Sequence, residues 1–410
     1  MLFNTLDFAI FFPIVFAIYW LLNKNLNIQN LFTVFASYVF YAWWDWRFLI
    51  LIIFSSIVDF AIAKNIQKTE KLSKRKILLV VSIILNLGFL CYFKYFNFFL
   101  DNFVNVFTFF GVRINNHSLN IVLPVGISFY TFQTLSYTID VYRRQLKATH
   151  QLIPFLAYVS FFPQLVAGPI ERATNLLPQF LNSRNFDRER AIQGLNLMIW
   201  GFFKKMVIAD NCANYANQIF ERYEQMDSFS LMLGGVYFSF QIYCDFSGYS
   251  DIAIGLGRLF GFDLMKNFNY PYFSRNVAEF WRRWHISLST WFRDYLYIPL
   301  GGNRVSKVIS IRNIFIIFLV SGFWHGANWT FIVWGFLHAV CFVPSFLMNK
   351  NRKYLSEITT NYNLPGLRDF IAILKTYAIV VIGWIIFRSK TLNDAYFCLL
   401  YTSPSPRDGL

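Results

Sequence analysis

The chain has 410 residues, of which 56% are hydrophobic, 21% aromatic and 14% charged, with 50 phenylalanines. A soluble chain of this length carries about a quarter of its residues as charges, so composition excludes a two- or three-domain soluble protein and leaves an all-α polytopic membrane protein. The 37 basic residues exceed the 22 acidic ones by 15, which here reads as cytoplasmic loops facing anionic membrane lipids, with no nucleic acid implied.

A membrane-crossing helix needs about 20 mostly apolar residues. Such runs lie at 5–22, 29–44, 47–63, 77–93, 121–140, 151–168, 192–209, 229–244, 309–321, 329–347 and 371–387, predicting about eleven membrane segments. The stretches 96–110 and 247–262 read as interfacial. The first run has Asp7 near its start, no basic lead and no cleavage site, so it reads as a retained helix. Pro124, Pro163 and Pro169 fall near the ends of later runs. Interrupted segments of that kind re-enter the membrane or line a cavity, because irregular backbone is not tolerated against lipid. The loop 64–76 carries Lys64, Lys68, Lys71, Lys74, Arg75 and Lys76 against Glu70. This places the loop in the cytoplasm and, three spans upstream, the N-terminus outside. The segments 143–147 and 349–353 read as cytoplasmic as well.

The five cysteines (Cys91, Cys212, Cys244, Cys341 and Cys398) form no C-x-x-C pair, so neither a disulfide framework nor a zinc site is predicted. The end of the chain, CLLYTSPSPRD at 398–408, changes abruptly from apolar residues to Ser and Pro. It reads as a translated sequencing adapter. The expectation is one transmembrane domain over 1–397, cut short before its last membrane segment, with 398–410 as foreign sequence.

Histidine is scarce, so each of the five can be weighed. His117 and His150 lie in polar connections and read as solvated side chains. His325 lies in SGFWHGANWTFIVWG between Gly322 and Gly326; on a helix, Asn328 would share its face. An ionisable group at membrane depth is a functional candidate, and a neutral imidazole suits proton abstraction. A buried histidine bonded to a carbonyl is an equally good reading of that position. His285 lies in a stretch, 281–295, that reads as an amphipathic helix. Trp281, Trp284, His285, Leu288, Trp291, Phe292 and Tyr295 share one side, and Arg282, Arg283, Ser287, Ser289, Thr290, Arg293 and Asp294 the other. Alone, that pattern favours an interfacial anchor.

Seven basic residues fall between 275 and 312 (Arg275, Arg282, Arg283, Arg293, Arg304, Lys307, Arg312) beside Glu279 and Asp294. They suit the phosphates of a coenzyme A thioester or of lipid headgroups equally well. In YCDFSGYSDIAIGLGR, 243–258, Asp245 and Asp251 read as helix caps. GLGRLFG follows no strand, so it is not a dinucleotide loop. No G-x-S-x-G, H-E-x-x-H or phosphate-loop pattern occurs.

Four separated runs carry a family resemblance: FFPQLVAGPIER (161–172), YCDFSGYSDIAIG (243–255), FWRRWHISLSTWFRDYLYIPLGGNR (280–304) and FWHGANWTFIVWGFLH (323–338). In this order they resemble the membrane-bound O-acyltransferase family, and within it the branch of alginate O-acetyltransferase membrane subunits. The teichoic-acid D-alanyl transfer proteins are more distant. The resemblance implies a multi-helix bundle around a central funnel or tunnel in the bacterial cytoplasmic membrane. His325 would be the essential histidine of the family's WHG motif, removing the proton of the accepting hydroxyl. His285, facing the same tunnel, would position or polarise the acyl group. Arg282, Arg283, Asp294, Tyr297, Trp324 and Asn328 would line the tunnel or hold the donor. The donor would be acetyl-CoA, with no metal, and the acceptor an extracytoplasmic polysaccharide reached through a secreted or membrane-anchored acetyltransferase of SGNH type. His338, followed by Ala339 where relatives carry Gly, is given a structural role. A transporter or flippase with an intramembrane histidine is the alternative from another class, although no inverted repeat is visible. A relative acting on lipid or protein acceptors is a third reading.

Overall fold

The structure, a computed structural model, describes residues 1–111, 119–166, 168–354 and 365–402. Every regular element among them is helical. In chain order these are α1 (Leu6–Leu21), α2 (Leu26–Ala42), α3 (Leu49–Lys68), α4 (Leu72–Leu90), α5 (Phe96–Phe109), α6 (Ile127–Tyr142), α7 (Leu152–Ser160), α8 (Phe162–Leu165) and α9 (Ala173–Leu181). They continue with α10 (Arg188–Phe202), α11 (Asp210–Glu221), α12 (Ser228–Leu259), α13 (Val277–Arg283), α14 (Ile286–Phe292), α15 (Lys307–His325), α16 (Trp329–Leu347), α17 (Leu367–Arg388) and α18 (Leu392–Tyr401). The chain divides into two compact units, residues 1–202 with 249–265, and residues 203–248 with 266–410.

Among the described residues, 5 helical runs are long and apolar enough to cross a membrane: 46–68, 72–109, 307–325, 329–347 and 367–388. Several runs expected to span are reshaped by their prolines and glycines. The run at 121–140 becomes helical only from Ile127, because Gly126 takes φ 75° and a Cβ there would lie 2.5 Å from the Leu165 carbonyl oxygen. The run at 151–168 breaks into α7 and α8, with Pro163 in the first turn of α8. Conversely, α4 passes through a π-helical turn, Cys91–Tyr95, straight into α5, so the stretch 96–110 extends a 38-residue helix. The stretch 247–262 is largely the C-terminal end of α12. Asp245 and Asp251 are therefore interior to a helix, and the capping role expected of them does not apply. His150 is exposed, as expected, and His117 lies outside the described residues.

In the first unit α6 is buried on nearly all sides despite its Ser and Thr content. Its hydroxyls turn back onto the helix, Ser136 to the Gln133 carbonyl at 2.7 Å and Thr138 to that of Thr134 at 2.9 Å. The fully buried Asp59 of α3 accepts from Ser82 at 2.5 Å and Asn86 at 2.8 Å, both on α4. Asp59 thus meets its partners on the neighbouring helix.

Glu171, in the GPIER segment before α9, is buried, and its carboxylate accepts from the Met265 N–H and from Asn175 at 2.8 Å. Burial pushes its carboxyl up to about 7, against a lowering by its hydrogen bonds and by Arg172. A carboxyl with a raised folded value favours folding at low pH, and that contribution fades as pH rises through about 7. Thermal unfolding should therefore show stability falling by on the order of 3 kcal/mol as pH rises from about 4.5 to about 7, with little further change above. Glu171→Gln should flatten that fall, and an unchanged pH dependence would contradict the assignment.

The second unit is built on aromatic packing. Trp281, Trp284, Trp334 and Trp384 form its core with Phe280 and Phe318. The hairpin of α15 and α16 is drawn tight by Gly322 and Gly335. A Cβ at Gly322 would overlap the Phe331 carbonyl oxygen, and one at Gly335 that of Phe318. Helices approach this closely where small residues face each other. In α18, closed by a Thr391–Asp394 capping box, Cys398 is buried against Leu231 and Ile385. The helix thus crosses the boundary expected at 397/398, and residues 403–410 lie outside the described residues.

Candidate active site

The amphipathic helix expected at 281–295 is broken in the middle. α13 ends at Arg283, Trp284 is extended, and His285 adopts the left-handed conformation with φ 44° and ψ 55°. The cause is competition for backbone hydrogen bonds. The segment 267–269 pairs with the break, with Ile286 N–H donating to the Asn267 carbonyl at 2.9 Å and Asn269 N–H to that of Arg283 at 2.9 Å. A left-handed histidine costs about 1–3 kcal/mol, and such strain collects at functional sites.

The break turns the His285 side chain into the interior, where it is 1% exposed. Phe246 of α12 meets the ring edge-on at 4.7 Å between centroids, Phe268 lies parallel at 6.4 Å, and Trp324 is tilted at 6.1 Å. His285 Nδ1 lies 3.0 Å from Asn267 Oδ1. That oxygen also accepts from Ser287, from its N–H at 3.3 Å and its hydroxyl at 2.9 Å. Burial holds the imidazole well below its ordinary value, and charge on His325 pushes the same way. The ring is therefore neutral at neutral pH.

His325 is the last residue of α15. Its ring packs on Trp324 at 5.0 Å, Trp334 at 5.2 Å and Phe387 at 5.4 Å. Trp324 thus touches both histidines, and the structure brings His285, Trp324 and His325 together. Asn328 stands apart from this group. The helix ends before it, and Asn328 caps α16 through Thr330 N–H at 3.1 Å while donating to the Lys390 carbonyl at 2.9 Å. It therefore does not share a helical face with His325. His338 is fully buried, and its Nδ1 accepts from Trp281 Nε1–H at 3.3 Å, within the aromatic core.

The arginines divide by what they touch. Arg283 is held inside, donating to Glu279 at 2.9 Å and to the Asn269 carbonyl at 3.3 Å. Arg282 clamps the carbonyls of Asn351 and Tyr354. Its charge still borders a cavity of 560 Å³ whose walls include Trp281, Phe292, Phe318 and Phe346, with Arg293 and Arg352 also lining it. Asp294 pairs with Arg293 at 2.7 Å, and Tyr297, also on the cavity wall, donates to Asn303. Asp245 is paired with Lys205 at 2.6 Å. Among the described residues, no three His, Cys, Asp or Glu side chains converge to hold a metal ion.

Sequence reasoning missed Asn267, Phe246, Trp334 and Phe387. The last three are apolar and look like core in any reading. Asn267 offered one signal, an amide in the short polar stretch KNFNYP.

The sequence model of the family described as MBOAT, membrane-bound O-acyltransferase, matches residues 125–381. The chain is 41% identical over 390 residues to a Pseudomonas aeruginosa protein named "Probable alginate O-acetylase AlgI", covering 94% of this chain and 72% of that one. It is 36% identical over 425 residues to a peptidoglycan O-acetyltransferase of Helicobacter pylori, covering 96% and 78%. A teichoic acid D-alanyltransferase of Streptococcus thermophilus is 29% identical over 333 residues, covering 73% and 77%.

Proposed function

The chain belongs to the membrane-bound O-acyltransferase family, and on that premise we propose that it moves an acetyl group from cytoplasmic acetyl-CoA towards hydroxyls of an extracytoplasmic polysaccharide. It is an O-acyltransferase of a multi-pass bacterial membrane protein family, which sets the transporter reading aside. Delivery to the polymer passes through a secreted or membrane-anchored acetyltransferase of SGNH type. The membrane is the cytoplasmic one, with the N-terminus outside and the lysine-rich loop 64–76 inside.

The observation that carries this reading is the pair of histidines on either side of Trp324, one of them fully enclosed and neutral. A neutral imidazole in a water-poor aromatic setting is the group that acyl transfer to a hydroxyl requires. The names of the relatives support an acetyl group and a glycan acceptor, since alginate and peptidoglycan are both polysaccharide in character. The cavity beside α13 and α14 supports a thioester donor. Its apolar walls suit a pantetheine arm, and Arg293 and Arg352 suit phosphates. A soluble donor cannot cross about 30 Å of hydrocarbon, so donor and acceptor must meet within the protein.

The reading is tested in inverted membrane vesicles carrying the full chain, supplied with acetyl-CoA from the cytoplasmic face. Release of coenzyme A thiol should depend on the chain and rise when the polysaccharide and partner are present. Release equal to that of vesicles lacking the chain would contradict the proposal.

A further inference from the structure

We propose that Asn267 is a positioning residue whose side-chain oxygen fixes His285 as its Nδ1–H tautomer, so that a bare Nε2 lone pair takes the proton of the acceptor hydroxyl during acyl transfer. The inference rests on the acetyl-transfer reading for its reaction, and on hydrogen-bond geometry for the tautomer.

The argument begins at Ser287. Its backbone N–H points at the terminal amide of Asn267, 3.3 Å from Oδ1. A backbone N–H can only donate, so the atom facing it is the amide oxygen and not the NH2 group. The same oxygen lies 3.0 Å from His285 Nδ1. An amide oxygen can only accept, so Nδ1 carries the hydrogen. In a neutral imidazole the remaining nitrogen then holds a lone pair. His285 Nε2 is buried and meets no hydrogen-bond partner among the described residues. Buried polar atoms are nearly always satisfied, and an exception calls for a functional account. Here a strained left-handed backbone and three contacts on one amide oxygen hold the ring with its basic nitrogen unused.

His338 provides the contrast inside the same unit. Trp281 Nε1–H can only donate, so His338 Nδ1 must accept and Nε2 carries the hydrogen. The lone pair of His338 is taken up by Trp281, and its Nε2, which also meets no hydrogen-bond partner among the described residues, faces Gly383, where a Cβ would lie 3.0 Å away. Two buried histidines are thus set in opposite tautomers, and only His285 keeps a basic nitrogen in reserve.

This changes the roles expected for both histidines, because the hydroxyl proton expected to pass to His325 passes instead to Nε2 of His285. Polarising a thioester carbonyl needs an N–H aimed at it, and the single N–H of neutral His285 is committed to Asn267. Nε2 instead accepts. The hydroxyl oxygen attacks the thioester carbonyl carbon, its proton passes to Nε2, and a C–O bond forms as the C–S bond breaks. The imidazolium then returns its proton to the departing thiolate, giving the free thiol and the neutral ring. Asn267 touches none of the reacting atoms.

The test is 15N NMR of the full chain, histidine-labelled, in lipid nanodiscs, with His285→Gln assigning the signals. In the wild type, Nδ1 of His285 should appear protonated and Nε2 unprotonated at neutral pH. Asn267→Ala keeps the backbone carbonyl that Ile286 uses. It should move the ring towards the Nε2–H form and lower kcat for acetyl transfer by about 10²-fold, within the range a positioned base supplies. KM for acetyl-CoA should stay within about twofold, because only the chemical step is affected. Asn267→Asp, which still accepts from Nδ1, should keep the tautomer and recover most of the rate. An Nε2–H ring in the wild type overturns the proposal, as does Asn267→Ala with an unchanged ring and full kcat. If Asn267→Ala does not accumulate, the wild-type spectrum decides. An Nδ1–H ring in a protein that releases no coenzyme A supports the tautomer and overturns the acetyl-transfer reading instead.

Discussion

His325→Ala is expected to lower polymer O-acetylation by about 10²–10⁴-fold, the span that a positioned acid–base group contributes, while the protein still reaches the membrane. The ring lies at the end of α15 with Trp324, Trp334 and Phe387 around it, all within about a ring's thickness of contact. Its removal takes away one histidine of the pair and opens a gap beside the other, so a part of the loss could come from packing. His325→Gln separates the two effects, because glutamine fills more of the space without offering an imidazole. Both substitutions should be equally inactive, with the glutamine variant accumulating at the wild-type level. Substantial O-acetylation in the glutamine variant would show that the imidazole is not needed.

A comparably large effect is expected from Gly335→Leu, at a residue that does no chemistry. The α15–α16 hairpin closes only because Gly322 and Gly335 leave room for the Phe331 and Phe318 carbonyls. Even a methyl group overlaps backbone there, and backbone cannot rotate away as a side chain can. Gly335→Ala should cost about 1–3 kcal/mol, in the range of core overpacking, and Gly335→Leu should prevent the hairpin from closing. Because α15 carries His325 and α16 carries Trp334, activity should fall further than the amount of folded protein does. The control is Gly88→Ala on α4, where nothing lies within 4 Å of a new Cβ. That variant should be neutral or stabilised by about 1 kcal/mol, since alanine favours helix over glycine. Equal unfolding temperatures for Gly335→Ala and Gly88→Ala would contradict the close-packing account.

Much of this was legible in the sequence because it depends on local chemistry. The scarcity of charge announced a membrane protein, and the rarity of histidine made His285 and His325 stand out. The four motif runs carried the family. Legibility ended where distant segments compete for the same backbone. A helical wheel drawn over 281–295 groups Trp281, Trp284 and His285 correctly as inward residues. It cannot foresee that 267–269 will claim the carbonyl of Arg283 and the N–H of Ile286, which breaks the helix at His285. Asn328 fails for the related reason that Gly326 ends α15 before the expected face can continue. Arg282 and Arg283 were singled out for their charge, yet their guanidinium groups serve Asn351, Tyr354, Asn269 and Glu279. Sequence shows the charge but not which carbonyl will lie beneath it. Asn267 is the clearest case, an amide whose role exists only once its oxygen meets His285 and Ser287.

The central claim, that His285 and His325 act together in acyl transfer, is tested most directly by a double-mutant cycle. Transfer of labelled acetyl groups from acetyl-CoA is measured in inverted vesicles carrying the wild type, His285→Gln, His325→Gln or both. Residues that act as one catalytic unit are strongly non-additive, so the double variant should be no slower than the slower single variant. If the two single losses multiply in the double variant, or if either single variant retains wild-type transfer, the histidines do not form one site.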